Sequence, residues 1–280
     1  MKETEAIGMY LGMAVGDAIG APWEFTKPTP LISWQEIEMR TGGPHDVSLG
    51  EWTDDTALAR CLTDCYQRFG RLIPEACYEN FVAWENTGRF GTRDHIFDIG
   101  VTTMTAIGNF KLNQNGRIWF GVDDSQAQGN GGIMRLAPVI IANWQDQNTC
   151  RLDAMKSSML THASEECLRF AGRLATDLWT GTTNQSMESL FQKVTNNSGQ
   201  VADTYYSAWK AIKSTGCFED AIKYAVCRGN DADTVGAVAG MIAGRIYGIE
   251  SIPSKWLDAL MMKDILFQEA EDLYRIGSMR

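Results

Sequence analysis

The chain has 280 residues, of which 44% are hydrophobic and 21% are charged. This is the composition of an ordinary globular protein, and it excludes disorder over the whole chain. The formal net charge of −10 at pH 7 repels phosphate backbones, so it argues against a protein that binds nucleic acid or an anionic membrane surface.

The sequence predicts neither a membrane span nor a secretory leader. No apolar run approaches the ~20 residues that cross a bilayer. The first residues carry Glu3 and Glu5 and no cluster of positive charge. The seven cysteines are scattered, odd in number and without a CxxC pair, which is not the pattern of a disulfide framework. We therefore expect reduced thiols and a cytoplasmic location.

Taken in chain order, the hydrophobic periodicity is helical almost throughout. A first helix ends in glycine and proline after residue 16, and eight further segments show apolar residues at three- and four-residue spacing. The best strand-like run, Val139 to Ile141, is short and continues a helical pattern from Met134. The eight further predicted helices cover residues 56–69, 74–84, 102–112, 151–160, 165–179, 205–212, 219–226 and 235–247.

These helices predict an all-α fold, a large single-domain many-helix bundle over residues 1–280. No repeat or linker divides the chain, and no GxGxxG, GKS or GKT motif indicates a Rossmann or P-loop site. The helix at 235–247 is expected to be central, because small residues let a neighbouring backbone approach closely. Its small residues are Gly236, Ala237, Ala239, Gly240, Ala243 and Gly244.

Two acidic clusters precede predicted helices. The first acidic cluster spans residues 51–56 (EWTDDT) and the second spans residues 230–234 (NDADT). Asp and Thr are preferred helix caps and carboxylates favour the positive end of the helix dipole, so either cluster alone is most simply a helix start. A cap needs one oxygen, however, whereas each cluster offers at least two carboxylates and a hydroxyl.

If both clusters face one cleft, their like charges raise one another's pKa, and a divalent cation removes the repulsion. The offered ligands are hard oxygens, which favour Mg²⁺ or Mn²⁺, with Ca²⁺ as an alternative. Zinc is disfavoured because neither cluster contains His or Cys. So many carboxylates could together bind two metal ions about 3.5–4 Å apart. The residues thus predict a two-metal cleft.

Two other segments carry candidate site residues. Glu24 lies in a loop between two aromatic residues, which indicates partial burial. The glycine loop, residues 129–132, precedes a predicted helix at 133–139, and its backbone N–H groups could bind a diphosphate. The alternative for the loop is a flexible turn. Arg135 is either a phosphate contact or a partner in an ion pair at the edge of the core.

Five motifs resemble, in identity and in order along the chain, those of the ADP-ribosylglycohydrolases. This family includes the dinitrogenase-reductase-activating glycohydrolases and the ADP-ribosylarginine hydrolases. A further segment, FDIGVTT (97–103), is similar to one in those two arginine-directed branches. The five motifs are GDAIGAPWEF (16–25), WTDDTAL (52–58), GNGGIMRLAPV (129–139), TH (161–162) and NDADTVGAVAGMIAGRIYG (230–248).

The resemblance implies an all-α fold with a two-metal cleft, and it assigns roles to individual residues. Asp98 matches a carboxylate that contacts the substrate ribose, and Glu24 lies at or beside the metals. The candidate catalytic carboxylates are Asp55, Asp98 and Glu24. The implied ligands of two Mg²⁺ or Mn²⁺ ions are Thr53, Asp54, Asp55, Asp231, Asp233 and Thr234. The implied substrate-binding residues, besides Asp98, are Gly129, Asn130, Gly131, Gly132, Met134, Arg135 and His162. The chain departs from the family at Gly132, where many members carry Ser.

The resemblance implies a metal-dependent hydrolase that removes ADP-ribose from ADP-ribosylated arginine of a protein. Its partners would be ADP-ribose and the ADP-ribosylated protein. One alternative is an immunity-type protein that also binds and blocks an ADP-ribosyltransferase toxin. Others are a hydrolase of serine-linked or O-acetyl-ADP-ribose, a two-metal phosphoesterase acting on the diphosphate, and a non-enzymatic scaffold. The intact carboxylate motifs argue against the scaffold.

Overall fold

A computed structural model describes residues 1–27, 34–113, 116–183, 186, 188–189, 192–193 and 195–280. Within these ranges the regular structure is helical, with isolated β-bridges only, which confirms the predicted all-α fold. None of the described helices is long and apolar enough to cross a membrane. Numbered in chain order, the helices are α1 (Glu3–Gly20), α2 (Asp54–Phe69), α3 (Pro74–Thr87), α4 (Val101–Lys111), α5 (Ala137–Ala142), α6 (Gln147–Met159), α7 (Glu165–Thr180), α8 (Val201–Ser214), α9 (Phe218–Val226), α10 (Ala232–Tyr247), α11 (Ser254–Ala259) and α12 (Lys263–Ser278). Short 3-10 turns cover Ala21–Trp23, Trp34–Glu36 and Ile249–Ser251.

Helices α1 and α10 form a closely packed antiparallel pair at the centre of the fold. A Cβ atom added at Gly12 would lie 2.4 Å from the carbonyl oxygen of Gly240, and one added at Gly16 would lie 2.0 Å from that of Gly236. Only glycine permits so close an approach of two backbones. The prediction of a central buried helix near 235–247 is therefore confirmed.

The antiparallel packing sets the position of the two acidic clusters. The last turns of α1, which carry Asp17, lie beside the first turn of α10, which carries Asp233, since a Cβ atom at Gly20 would lie 2.4 Å from Asp233 Cα. Helix α2 begins at the same end, because the backbone N–H of Thr53 donates a hydrogen bond of 2.9 Å to Asp17 Oδ1. Both acidic helix starts thus meet at one end of the central pair.

A buried polar network holds α12 against α1 and α2. The Tyr10 hydroxyl lies 2.8 Å from both Thr63 Oγ1 and Glu269 Oε2. Arg60 binds the same carboxylate, with Nη2 at 3.0 Å from Oε1. Each charge is paired and hydrogen-bonded, which is the condition under which buried charges are tolerated.

Two helix boundaries differ from the sequence-based expectation for local reasons. Helix α6 begins at Gln147, because the Asp146 side chain accepts from the Asn148 backbone N–H and caps it. The helix expected at 133–139 begins only at Ala137, with Pro138 in its first turn. A helix starting at 133 would place that proline in its interior, where it breaks a backbone hydrogen bond. The glycine loop is therefore followed by turns and not by a helix.

Candidate functional site

A cleft of about 650 Å³ lies where α1 ends and where α2 and α10 begin. The glycine loop, the start of α4 and residues 197–199 form other parts of its wall. Of the predicted site residues, those lining the cleft are Glu24, Asp54, Asp98, Gly129, Asn130, Gly131, Met134, His162, Asp231, Asp233 and Thr234. The others, which lie behind this lining, are Thr53, Asp55, Gly132 and Arg135.

The two acidic clusters touch through their threonine hydroxyls. Asp55 Oδ2 accepts a hydrogen bond of 3.3 Å from Thr234 Oγ1 and lies 3.3 Å from Thr53 Oγ1. Thr53 Oγ1 also lies 3.5 Å from Asp233 Oδ2. The two helix starts, predicted from sequence to share a cleft, are therefore brought into contact.

The second oxygens of Asp55 and Asp233 have no hydrogen-bond partner among the described residues. Both Oδ1 atoms are buried. Burial, together with the neighbouring carboxylates, raises the pKa of both groups well above the usual range. A buried carboxylate oxygen without a donor is costly, and a cation removes that cost. The site therefore fits a divalent cation bound by carboxylate and hydroxyl oxygens.

Two groups of three carboxylates share Asp233. Each group offers oxygens within 4.8 Å of one another: Asp17, Asp55 and Asp233 form one, and Glu24, Asp231 and Asp233 form the other. Each group could hold a metal ion. The carboxylates come from both ends of the chain, so only the folded protein assembles them.

Asp17 caps helix α2 from a different helix. Its carboxylate accepts from the backbone N–H of Thr53 and of Thr56, at 2.9 and 3.1 Å, and from both threonine hydroxyls, at 3.0 and 2.6 Å. Burial raises the pKa of Asp17 to about 6, although these hydrogen bonds act in the opposite direction. Because Asp17 supplies the cap, neither Asp54 nor Asp55 is needed for it.

Glu24, His45 and Asp98 form a second cluster at the side of the cleft. His45 Nε2 lies 2.6 Å from Glu24 Oε2 and 3.9 Å from Asp98 Oδ2. Burial raises the pKa of Glu24 to about 7, and the hydrogen bond to Glu24 raises the pKa of His45. Burial likewise raises the pKa of Asp98. Glu24 and His45 are therefore close enough to share a proton.

The glycine loop is attached to the second acidic cluster. Asn130 Nδ2 donates to Asp231 Oδ2 and, at 2.8 Å, to Thr204 Oγ1. The backbone N–H of Asn130 donates to the carbonyl oxygen of Gly199 at 3.1 Å. The loop is thus held in one conformation beside the carboxylates, which disfavours the flexible-turn alternative.

Two residues of the glycine-loop motif lie beneath the cleft wall. Arg135 is fully buried, and its Nη2 donates to the Ser157 carbonyl oxygen and to Thr161 Oγ1 at 2.9 and 2.8 Å. A Cβ atom at Gly132 would lie 2.2 Å from Ser158 Oγ. Gly132 therefore packs against α6, and the guanidinium of Arg135 faces the interior and not the cleft. Among the described residues it has no ion-pair partner.

Three parts of the site were not assigned from sequence. The first is the capping by Asp17, whose four donors lie 36 to 39 residues away along the chain. The second is His45, which stands alone in a glycine-containing loop and meets Glu24 only through the fold. The third is the segment 197–199, which carries no motif. Of these three, only the role of Asp17 had a hint in the sequence: an acidic residue directly follows Gly16, the glycine that packs against α10.

Comparison with known proteins places this site in a family. The ADP-ribosylglycohydrolase profile matches residues 2–194 and 169–280. A protein from Serratia proteamaculans (strain 568), named ADP-ribosylarginine hydrolase Tri1, is 33% identical over 293 residues, covering 96% of this chain and 79% of that relative. The ADP-ribosyl-dinitrogen reductase glycohydrolase of Rhodospirillum rubrum is 27% identical, covering 92% of this chain and 90% of its own.

A solved structure gives the same result for the fold. A chain described as an ADP-ribosylglycohydrolase-related protein complex superposes with a TM-score of 0.83, at 29% sequence identity and with 98% of each chain covered. The sequence profile spans both acidic clusters and the glycine loop. The chain therefore belongs to the ADP-ribosylglycohydrolase family.

Proposed function

We propose that this protein is a metal-dependent hydrolase that releases ADP-ribose from ADP-ribosylated arginine in proteins. Family membership supports a hydrolase acting on ADP-ribosyl groups. The structural observation that carries the metal dependence is the meeting of two acidic helix starts, with the Oδ1 atoms of Asp55 and Asp233 buried and unpaired. The names of the relatives support arginine as the modified residue.

Two Mg²⁺ or Mn²⁺ ions are the proposed cofactors. Bound cations would neutralise the carboxylates and orient the vicinal hydroxyls of a ribose. The oxygen ligands of the two acidic clusters favour these hard cations over zinc, which prefers nitrogen and sulfur ligands. The side chains proposed to hold the ions are Thr53, Asp54, Asp55, Asp231, Asp233 and Thr234, with Asp17 and Glu24 beside them.

The chain's own carboxyl groups handle the protons of the reaction. Hydrolysis breaks the bond between ribose C1″ and a guanidine nitrogen, which keeps the electron pair and takes a proton, while water delivers hydroxide to C1″. Asp98 and Glu24 line the cleft, and their raised pKa values suit them to take and give these protons. Asp55 does not line the cleft, so its proposed role is that of a metal ligand.

The glycine loop and its neighbours are proposed to bind the ADP part of the substrate. Gly129 and Gly131 line the cleft and pack against His162, and their backbone N–H groups are proposed to bind a diphosphate. Phe25, on the cleft rim, is 69% exposed. An exposed aromatic ring at this position can stack on a nucleobase. Arg135 is proposed to support this wall from behind.

The test is incubation of the protein and Mg²⁺ with separately prepared arginine-, serine- and carboxylate-linked ADP-ribosylated proteins. We expect free ADP-ribose from the arginine adduct, and no release in EDTA. AMP and ribose phosphate as products would instead identify a phosphoesterase. Intact arginine adduct in the presence of Mg²⁺ and of Mn²⁺ would overturn the proposal.

A further inference from the structure

The imidazole of His162 lies between the cleft and a buried guanidinium. On the cleft side its ring packs against the glycine loop, where a Cβ atom at Gly129 would lie 3.0 Å from Nε2. On the inner side Nδ1 lies 2.8 Å from the hydroxyl oxygen of Thr161. Distance alone leaves open which of the two ring nitrogens carries the proton.

The hydrogen bonds of the Thr161 hydroxyl identify the protonated ring nitrogen of His162. A guanidinium only donates, so Thr161 Oγ1 must accept from Arg135 Nη2, at 2.8 Å. Thr161 is fully buried, and His162 Nδ1 is the other described atom bonded to its hydroxyl oxygen. Nδ1 is the one described acceptor within reach of the buried hydroxyl proton, which would otherwise be left unpaired, so the hydroxyl donates to Nδ1 and Nδ1 is the unprotonated nitrogen.

The ring is neutral in this environment. Burial lowers the pKa of His162 to about 3, and the positive charge of Arg135 acts in the same direction. A neutral imidazole with an unprotonated Nδ1 carries its proton on Nε2. No described residue accepts a hydrogen bond from Nε2, which leaves this N–H available to a ligand in the cleft.

We infer that Arg135, acting through Thr161, fixes His162 as the Nε2–H tautomer and so presents a hydrogen-bond donor to the cleft beside the glycine loop. Arg135 and Thr161 are thus positioning residues. The donor suits an anionic oxygen, which under the proposed function is a diphosphate oxygen of ADP-ribose.

The test is the nitrogen chemical shifts of the histidine rings in protein labelled with ¹⁵N-histidine, recorded without ligand. The His162 signals are assigned by their loss in His162→Gln. We expect the wild type to show a protonated Nε2 and an unprotonated Nδ1. Thr161→Ser, which keeps the hydroxyl, should preserve that pattern. Thr161→Val and Arg135→Met should each give a mixture of tautomers.

The inference is overturned if the wild type carries its proton on Nδ1, or if Thr161→Val and Arg135→Met both remain pure Nε2–H. Thr161→Val is close in shape to the wild type, so it keeps the test decisive if Arg135→Met does not fold. A second measurement is ADP-ribose binding, which we expect to weaken about ten-fold in Thr161→Val but not in Thr161→Ser. This inference rests on the proposed function only for the identity of the ligand. If the shifts agree but ADP-ribose does not bind the wild type, the proposed function fails and the tautomer assignment stands.

Discussion

Asp17 Oδ2 accepts a hydrogen bond of 2.6 Å from the hydroxyl of Thr56, which lies 39 residues further along the chain. The same carboxylate accepts from the backbone at the start of α2, so a side chain of α1 caps this helix. Asp54 and Asp55, which are of a residue type that usually caps helices, are therefore not needed as caps. This division of labour explains how one helix start can offer two further carboxylates to a cation.

Asp17→Asn should lower the free energy of unfolding by about 1–3 kcal/mol. An amide offers one acceptor oxygen where the carboxylate offers two, and its NH₂ group would face backbone N–H donors. Relief of like-charge repulsion acts in the opposite direction, but it does not replace the lost hydrogen bonds. Chemical denaturation measures the change. The control is Asp146→Asn, at an ordinary exposed cap where Asn serves equally well. Equal stability of Asp17→Asn and the wild type would contradict the capping role.

Asp55→Ala and Asp233→Ala should each reduce hydrolysis at least about a hundred-fold while the fold survives, because each removes a proposed metal ligand. Without metal, both variants should be as stable as the wild type or more so, since a buried like charge is removed. Activity assays with Mg²⁺ and thermal unfolding in EDTA measure the two effects. Asp94→Ala, at a side chain that is 97% exposed, is the matched control. Full activity of either variant would contradict the assignment of that residue as a metal ligand.

Without divalent cations, stability should fall as the pH rises. Burial raises the pKa of Asp17 to about 6 and of Glu24 to about 7, whereas unfolded carboxyl groups titrate near ~4. Between these values the folded protein binds more protons than the unfolded chain, so the free energy of unfolding decreases with pH. The raised pKa of His45 acts in the same direction. In EDTA, Tm should be higher at about pH 6 than at about pH 8, and Mg²⁺ should raise Tm most at the higher pH. A Tm in EDTA that increases over this range would refute the prediction.

The helical fold was predictable because its signal is local. The periodicity at 56–69 identifies α2, and the small residues at 235–247 identify the central helix. The first residue of a helix was harder to predict from the sequence, because some helices are capped by side chains that lie far away along the chain. Helix α2 begins at Asp54, before the first periodic residue, and its cap comes from α1.

The candidate site was predictable where one segment carries several site residues. Both acidic clusters are of this kind, and the structure brings them together. The role of His45 could not be predicted from the sequence, because its contact with Glu24 depends on how two loops fold. Arg135 illustrates a different limit: a motif can show that a residue belongs to a site, but not on which side of the wall its side chain lies.

The contact between α1 and α10 should be intolerant of a single methyl group. Gly12→Ala places Cβ 2.4 Å from a backbone oxygen of α10, which must move, and we expect a loss of about 3 kcal/mol or more. Because both acidic helix starts depend on this pair, Mg²⁺ affinity should fall as well. Gly108→Ala in α4 is the control: nothing lies within 4 Å of its added Cβ, so better helix propensity should stabilise it by up to ~1 kcal/mol. Denaturation midpoints that do not separate the two variants would contradict the close approach.

Arginine-linked ADP-ribose should be cleaved faster than serine-linked ADP-ribose. An arginine adduct carries positive charge, and the cleft concentrates carboxylates, including Asp54 and Asp98, that attract it. The neutral O-glycosidic linkage to serine gains nothing from that field. Asp98→Asn keeps the shape and removes one charge, so it should lower kcat on the arginine adduct at least about ten-fold. Binding of ADP-ribose, which is itself negative, should be unchanged or tighter. Asp94→Asn, on the exposed surface, controls for the loss of a charge as such. Faster cleavage of serine adducts by the wild type would defeat the arginine assignment, while the evidence for a cation site, which rests on Asp55 and Asp233, would be unaffected.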